Sequence, residues 1–350
     1  MTLPLSLFLI VLGGILLGTF SLPVTRTPDW KFEHIWFVGS LLALLVIPWP
    51  LVFLTVPDVG ALYASVPPGV LVAVILSGAA WGIGGIFWGR GIETLGMALG
   101  VSLMMTLITV FGSAGPLAIF EPAKFATAGG LVLSAALAVM IVGVVVIAIA
   151  GSRRAAEQAK ASPHDDASAS HAKPKASFAA GISFAIISGI LSAGVNFGFV
   201  FGGPLAAQAA EAGVSPYATG FAIWSLVFSA NYAINAIYGL WMMIKNGTLG
   251  GLFANAKPSY WLGALFMGTA WPGGVIIYGI GAGGMGAYGA YVGFPMMLLV
   301  SILSGNAAGA LTGEWKGTTT RPRRLMVIGV VILLAAFVLL GVSNNLLATS

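Results

Sequence analysis

Nine stretches of this chain run for more than 20 residues without a single Lys, Arg, Asp or Glu. A helix needs roughly 20 apolar residues to cross the hydrocarbon core of a bilayer. The stretches are Met1–Thr25, His34–Pro57, Val59–Gly89, Thr94–Phe120, Phe125–Ser152, Ala176–Ala210, Ala212–Ile244, Pro258–Gly313 and Leu325–Ser350. Eight fit one helix each. Pro258–Gly313 is too long for one and is interrupted by Gly281-Ala-Gly-Gly-Met-Gly286, a turn signal, so it is predicted to hold two. The expectation is an all-α membrane protein with ten transmembrane helices. The first run lacks a basic n-region and a small-residue cleavage pattern, so it reads as a helix and not as a signal peptide.

Composition closes the alternatives. With 58% hydrophobic and 7% charged residues, no water-exposed surface can be built. The chain has no cysteine, which removes disulfides and thiolate metal sites. Neither a metal site nor a cofactor is expected. The basic residues sit in separate short loops, a pattern that gives no footprint for nucleic acid. With ten helices, the loops after the odd-numbered ones carry 14 of the 15 basic residues, leaving only Lys124 on the other side. By the positive-inside bias these loops are cytoplasmic and both termini face outward, which is periplasmic for a bacterial inner membrane.

The longest polar stretch, 151–176, is Ala/Ser/Lys-rich without apolar periodicity and is expected to be a flexible cytoplasmic linker. Its Arg153-Arg154 pair reads as a positive-inside anchor. His164 and His171 beside Asp165 and Asp166 read as incidental neighbours and not as a metal site. The linker divides the chain into 1–150 and 177–350, five helices each. Across that divide, Trp81–Gly100 and Trp271–Ala290 share a register at a constant offset of 190. Trp81/Trp271, Gly84/Gly274, Ile86/Ile276, Gly89/Gly279, Gly91/Gly281 and Gly96/Gly286 are identical, and Trp88 faces Tyr278. A weaker echo pairs Gly13-Gly-Ile-Leu16 with Ser188-Gly-Ile-Leu191. An odd number of helices per half makes the copies cross in opposite senses. The prediction is two inverted five-helix repeats, the ground plan of many secondary transporters, with a site near the midplane between them.

All ten acids fall in loops or near helix ends, so no intramembrane carboxylate marks a cationic substrate. The polar lining is uncharged. Trp224, Asn231, Asn235 and Tyr238 share one face of the seventh helix, and Ser188, Ser192 and Asn196 recur at i, i+4, i+8 on the sixth. Trp81, Trp88, Trp271 and Tyr278 come from the third and eighth helices, and Tyr288 and Tyr291 from the ninth. Aromatic faces with amide and hydroxyl groups suit a neutral sugar. The tyrosines and Trp88 also fit an interfacial aromatic belt, and the two serines fit helix packing. Gly14-x-x-x-Gly18, Gly85-x-x-x-Gly89 and Gly194-x-x-x-Gly198-x-x-x-Gly202 predict close-packed helix faces, and Pro204, Pro272 and Pro295 predict breaks or kinks. An embedded enzyme would need grouped acid–base pairs, nucleophiles or metal ligands, and none is grouped here.

Trp81-Gly-Ile-Gly, with Gly89 and Leu95-Gly-Met-Ala-Leu-Gly100, resembles the third-to-fourth-helix segment of the L-rhamnose/proton symporter family. Gly189-Ile-Leu-Ser-Ala-Gly194 resembles the same family's sixth helix, and Gly313-Glu-Trp-Lys316 before Arg321-Pro-Arg its final cytoplasmic loop. The family belongs to the drug/metabolite transporter superfamily. The resemblance implies ten helices in two five-helix repeats and proton-driven uptake of a deoxyhexose such as L-rhamnose, with metabolite or drug export as the superfamily alternative. It also implies an acid among the aromatics of the ninth helix, where Ala287-Tyr-Gly-Ala-Tyr291 has none. If protons couple, Glu93, Glu33 and His34 are the titratable candidates, with Glu93 also placed to pair with Arg90 at i, i+3. The expected partners are a small sugar, protons and membrane lipid, in a monomer or a homodimer.

Overall fold

The computed structural model describes residues 1–20, 22–23, 29–95, 97–161, 178–254, 256–311, 313 and 315–349. All regular structure among them is helical. Among the described residues nine stretches are long and apolar enough to cross a membrane, and the helix α1 (Leu3–Thr19) is a shorter apolar companion. Its 17 residues span only about 25 Å, at the lower limit for a crossing.

Several spans are single continuous helices: α5 (Pro68–Leu95), α6 (Met97–Phe120), α7 (Ala128–Ala161), α11 (Phe221–Asn246), α13 (Pro258–Gly284), α14 (Gly289–Leu311) and α15 (Thr320–Thr349). Two are discontinuous. In Glu33–Thr55, α2 (Phe32–Leu41) passes through a π turn at Leu42–Val46 into α3 (Pro48–Thr55), where Pro48 and Pro50 supply no N–H to a continuing ladder. The short helix α4 (Val59–Ala64) follows, capped by the Asp58 carboxylate on the Ala61 N–H. In Ala179–Glu211, α8 (Phe178–Ser192), α9 (Gly194–Phe201) and α10 (Gly203–Glu211) meet at breaks around Ala193 and Gly202. Pro204 opens α10, as a proline tolerates. Pro272 and Pro295, by contrast, lie inside α13 and α14. The four-residue α12 (Gly251–Ala254) lies between α11 and α13.

The structure corrects two expectations and narrows a third. The turn expected at Gly281–Gly286 divides the long apolar run into two helices as predicted, but at its far end: the helix continues to Gly284, and the chain reverses at Gly286, whose φ of +90° only glycine adopts readily. The segment expected as a linker is helical through Ala161, because α7 extends past the hydrophobic run. Arg154 there stacks over the Trp315 ring at 5.1 Å, and Glu157 accepts hydrogen bonds from the Thr319 N–H and hydroxyl. The rest of that segment, with His164, Asp165, Asp166 and His171, lies outside the described residues. Gly85 and Gly89 pack against nothing, whereas the Gly14/Gly18 and Gly194/Gly198/Gly202 faces are tight.

The packing pairs elements across the sequence. α7 lies along α15; α1 packs on α13 and α14; α8 packs on α5 and α6; α11 packs on α5 and α2. Backbone approaches backbone at Gly13 and Gly274: a Cβ on Gly274 would sit 2.7 Å from the Gly13 carbonyl oxygen. Such contacts hold helices together in lipid, where there is no hydrophobic drive between them.

Candidate functional site

Trp81 stands halfway along α5 and Trp271 halfway along α13. The structure brings them together edge to face, with ring centroids 5.6 Å apart. Trp36 of α2 packs on Trp271 at 5.5 Å, Phe20 stacks on its other neighbourhood at 5.5 Å, and Phe228 of α11 packs on Trp81 at 5.9 Å. Both matched tryptophans remain half-exposed in the middle of their helices. Their contact joins the two parts of the chain.

Amides complete this cluster. Trp36 donates its indole N–H to the Asn235 side-chain oxygen at 3.1 Å, and the Asn235 amide donates to the side-chain and backbone oxygens of Asn231. Asn231 is thus an acceptor only. Its own NH₂ meets no protein acceptor, nor do the indole N–H groups of Trp81 and Trp271, and none of the three is sealed from solvent. Unsatisfied donors in apolar surroundings cost free energy, about 1–3 kcal/mol each. Donors kept open beside aromatic faces are what a hydroxylated ring needs. Trp36 was missed by sequence reasoning because one tryptophan near a helix start reads as an interfacial anchor.

A second node lies toward the opposite end of the bundle, where α6 finishes and α14 begins. Asn196, in the first turn of α9, donates to the carbonyls of Gly112 (2.7 Å) and Ala290 (3.1 Å) and accepts from the Tyr278 hydroxyl. Ser113 donates to the Tyr291 carbonyl. Tyr278 and Asn196 are fully buried, roofed by Phe199, Trp224 and Phe294. Trp224 stacks on Phe228 at 5.5 Å, so an aromatic track links the two nodes. Gly289 and residues 291–301 of α14 are all buried here, while Ile302 through Asn306 are half-exposed. α14 is thus sealed over its first half and less tightly covered beyond it.

Other expected site residues are placed elsewhere. Ser188 donates to the Gly84 carbonyl at 2.8 Å and Ser192 abuts Gly84, both inside the α5–α8 contact. Tyr238 turns from the amide face to pack on Trp241, and Trp88 rests half-buried against the core. Tyr291 packs on Tyr288, whose hydroxyl donates to Glu121 at 2.9 Å while the Lys124 ammonium lies 5.2 Å from its ring. Glu121, just past the end of α6, is the carboxylate that meets the tyrosines of this stretch. No sequence spacing signals it, since 167 residues separate the partners.

Glu93 is exposed near the end of α5 and makes no ion pair with Arg90. Glu33 accepts from Asn246 (3.2 Å) and Thr248 (3.0 Å). Buried His34 joins the Lys31 N–H through Nδ1 and the Thr248 carbonyl through Nε2, an arrangement satisfied with the proton on Nε2. Beside it, Lys257 and the Tyr260 hydroxyl both bond Asp29, at 2.7 and 2.6 Å. The Lys257 hydrogen bond, with that from Tyr260, holds the Asp29 carboxyl below its ordinary value, and Asp29 in turn raises Lys257. These contacts latch the start of α2 to the loop between α11 and α13. Among the described residues no group of three or more His, Asp or Glu side chains could hold a metal ion.

Comparison with known proteins places this geometry. The L-rhamnose-proton symport protein (RhaT) family matches residues 2–344. An L-rhamnose-proton symporter of Cronobacter sakazakii is 27% identical over 350 residues, covering 96% of each chain. Proteins of the same name from Mannheimia succiniciproducens and Yersinia pestis are each 24% identical, covering 95% or more of both chains. These are names of transporters and not of enzymes. By a match over nearly its whole length, the chain belongs to the L-rhamnose-proton symport protein (RhaT) family.

Proposed function

We propose that this protein imports an L-rhamnose-like deoxyhexose together with protons across a bacterial inner membrane, by alternating access. The observation that carries the reading is the Trp81–Trp271 pair beside Asn231. It offers two aromatic faces and three uncommitted N–H donors at mid-membrane depth. The flat apolar face of a deoxy sugar stacks on indole, and its hydroxyls accept from the free N–H groups. Trp36 and Asn235 hold the constellation rigid.

We read the architecture as two inverted five-helix repeats, residues 1–150 and 177–350. α1 counts as the first crossing and the two discontinuous spans as one each. The contacts support this. Gly13 lies on Gly274, and Ser188, its echo, lies on Gly84, the partner of Gly274. Ile10 lies on Gly281 just as Ala185 lies on Gly91. Exchange of equivalent contacts is what a two-fold pseudosymmetry produces. With the basic loops read as cytoplasmic and both termini as periplasmic, we place the sealed Asn196 node on the periplasmic side.

The coupling carboxylate we assign to Glu121, ahead of Glu93, Glu33 and His34. It borders the sealed node through Tyr288 and Tyr291, where a proton taken from the periplasm would bias opening. The test uses proteoliposomes with an inward proton gradient. Wild type accumulates L-rhamnose; Glu121→Gln loses accumulation but keeps sugar exchange across equal pH. Gradient-driven accumulation surviving in Glu121→Gln would remove the assignment. Absence of any monosaccharide uptake by wild type would remove the sugar reading itself.

A further inference from the structure

We propose that the cleft between the end of α14 and the start of α15 is a binding site for the headgroup of an anionic phospholipid. The cleft encloses about 370 Å³ and is lined by Leu311, Trp315, Lys316, Arg323, Met326 and Val327. It is amphipathic in one direction. Lys316 and Arg323 stand at the loop side, and Leu311, Met326 and Val327 at the helix side.

The loop is built to make this shape. Gly313 and Gly317 take φ of +88° and +73°, which turns the chain twice within five residues. Trp315 between them is folded inward and covered by Arg154, while Lys316 is left exposed. Arg323 lines the cleft and donates one guanidinium N–H to the Trp315 carbonyl at 2.8 Å, which leaves its other N–H donors to an anionic ligand. From 313 to 324 the chain carries Lys316, Arg321, Arg323 and Arg324 against one acid, Glu314.

The apolar half decides which phosphate fits. Leu311 is 89% exposed and Val327 57% exposed, at the boundary where two membrane helices leave the hydrocarbon. An anionic lipid satisfies both halves, its phosphate on the two cations and its glycerol and first acyl carbons along Leu311 and Val327. A free phosphate would engage the cations and leave the apolar wall bare. The cleft lies outside the aromatic and amide cluster assigned to sugar, so neither assignment depends on the other.

The experiment measures thermal unfolding of the full-length, detergent-purified protein during titration with four probes. These are short-chain phosphatidylglycerol, short-chain phosphatidylcholine, glycerol phosphate and inorganic phosphate. Phosphatidylglycerol is expected to raise Tm saturably, and the other three to leave it unchanged. In Lys316→Gln/Arg323→Gln the half-effect concentration should rise at least about tenfold, because each basic residue contributes separately to anionic-lipid attraction. Arg323 also supports the loop, so Lys316→Gln and Leu311→Asn are measured singly, and each should weaken the response. Equal responses to the two lipids would overturn the site, as would variants that respond like wild type. A Tm rise with inorganic phosphate equal to that with phosphatidylglycerol would overturn the lipid assignment.

Discussion

Asn196 and Asn231 are both buried amides in neighbouring helices, and the structure treats them oppositely. Asn196 spends every hydrogen-bonding group on the protein, with two carbonyls below it and a tyrosine hydroxyl above. Asn231 accepts from Asn235 and keeps its own NH₂ open. A polar group in an apolar interior is tolerated when paired. A saturated amide therefore locks helices together, and an unsaturated one waits for a partner. On the function proposed here, the first belongs to a seal and the second to a site.

The strongest way to break that contrast is Asn196→Ala. It removes the donor to the buried Gly112 carbonyl, whose helical successor Pro116 has no N–H, and leaves the Tyr278 hydroxyl only the Ala290 carbonyl at 3.3 Å. Thermal or denaturant unfolding in detergent should show a loss of about 2 kcal/mol, within the cost of leaving a buried polar group unpaired. A change under about 0.5 kcal/mol would show that the node is not a lock.

Trp271→Ala removes the stacking face together with ring contacts to Trp36, Trp81 and Phe20, so it should cost uptake beyond its cost in stability. Rhamnose uptake in proteoliposomes should fall about tenfold or more, the equivalent of roughly 1.4 kcal/mol of lost binding. Equal losses of stability and uptake would assign Trp271 to packing alone.

Asn231→Ala removes one donor, so KM for the sugar should rise a few fold, by about 0.5–1.5 kcal/mol. If maximal rate falls with KM unchanged, the amide acts on the transport cycle and not on sugar contact.

The smallest effect concerns the latch at the basic end. Asp29 is held below its ordinary carboxyl value, so its contribution is present above that value and is lost as pH falls through the lowered one. Lys257 is raised, so its part is complete below its ordinary value and is lost only as pH rises through the raised one. Asp29→Asn should flatten the acid limb of a Tm-against-pH curve slightly, because the pair is solvent-exposed and screened. An unchanged acid limb would mean that the latch carries no linkage.

The helical class and most span positions were legible because hydrocarbon thickness forces long uncharged runs, and a run such as 325–350 has one reading. The Trp81/Trp271 register was legible because identical residues kept one offset. Glu121 beside Tyr288 was not, since an acid at one helix end and a tyrosine at another carry no mutual spacing. Ser188 and Ser192 looked like a binding stripe because periodicity finds a face without saying what that face meets. The helical stretch from Gly151 to Ala161 was hidden by its polar composition. Its order comes from Trp315 and Thr319, far along the chain.

By itself, then, the sequence determined that this chain lies in a membrane, where most of its helices run, and that two tryptophans share one register at an offset of 190. These follow from solvent exclusion and periodicity, which act locally along the chain. Only the tertiary structure decided that those tryptophans touch, that Trp36 joins them, and that one asparagine is spent while another is free. Whether a donor finds an acceptor depends on which helices come within about 3 Å of each other, and no local pattern encodes that distance.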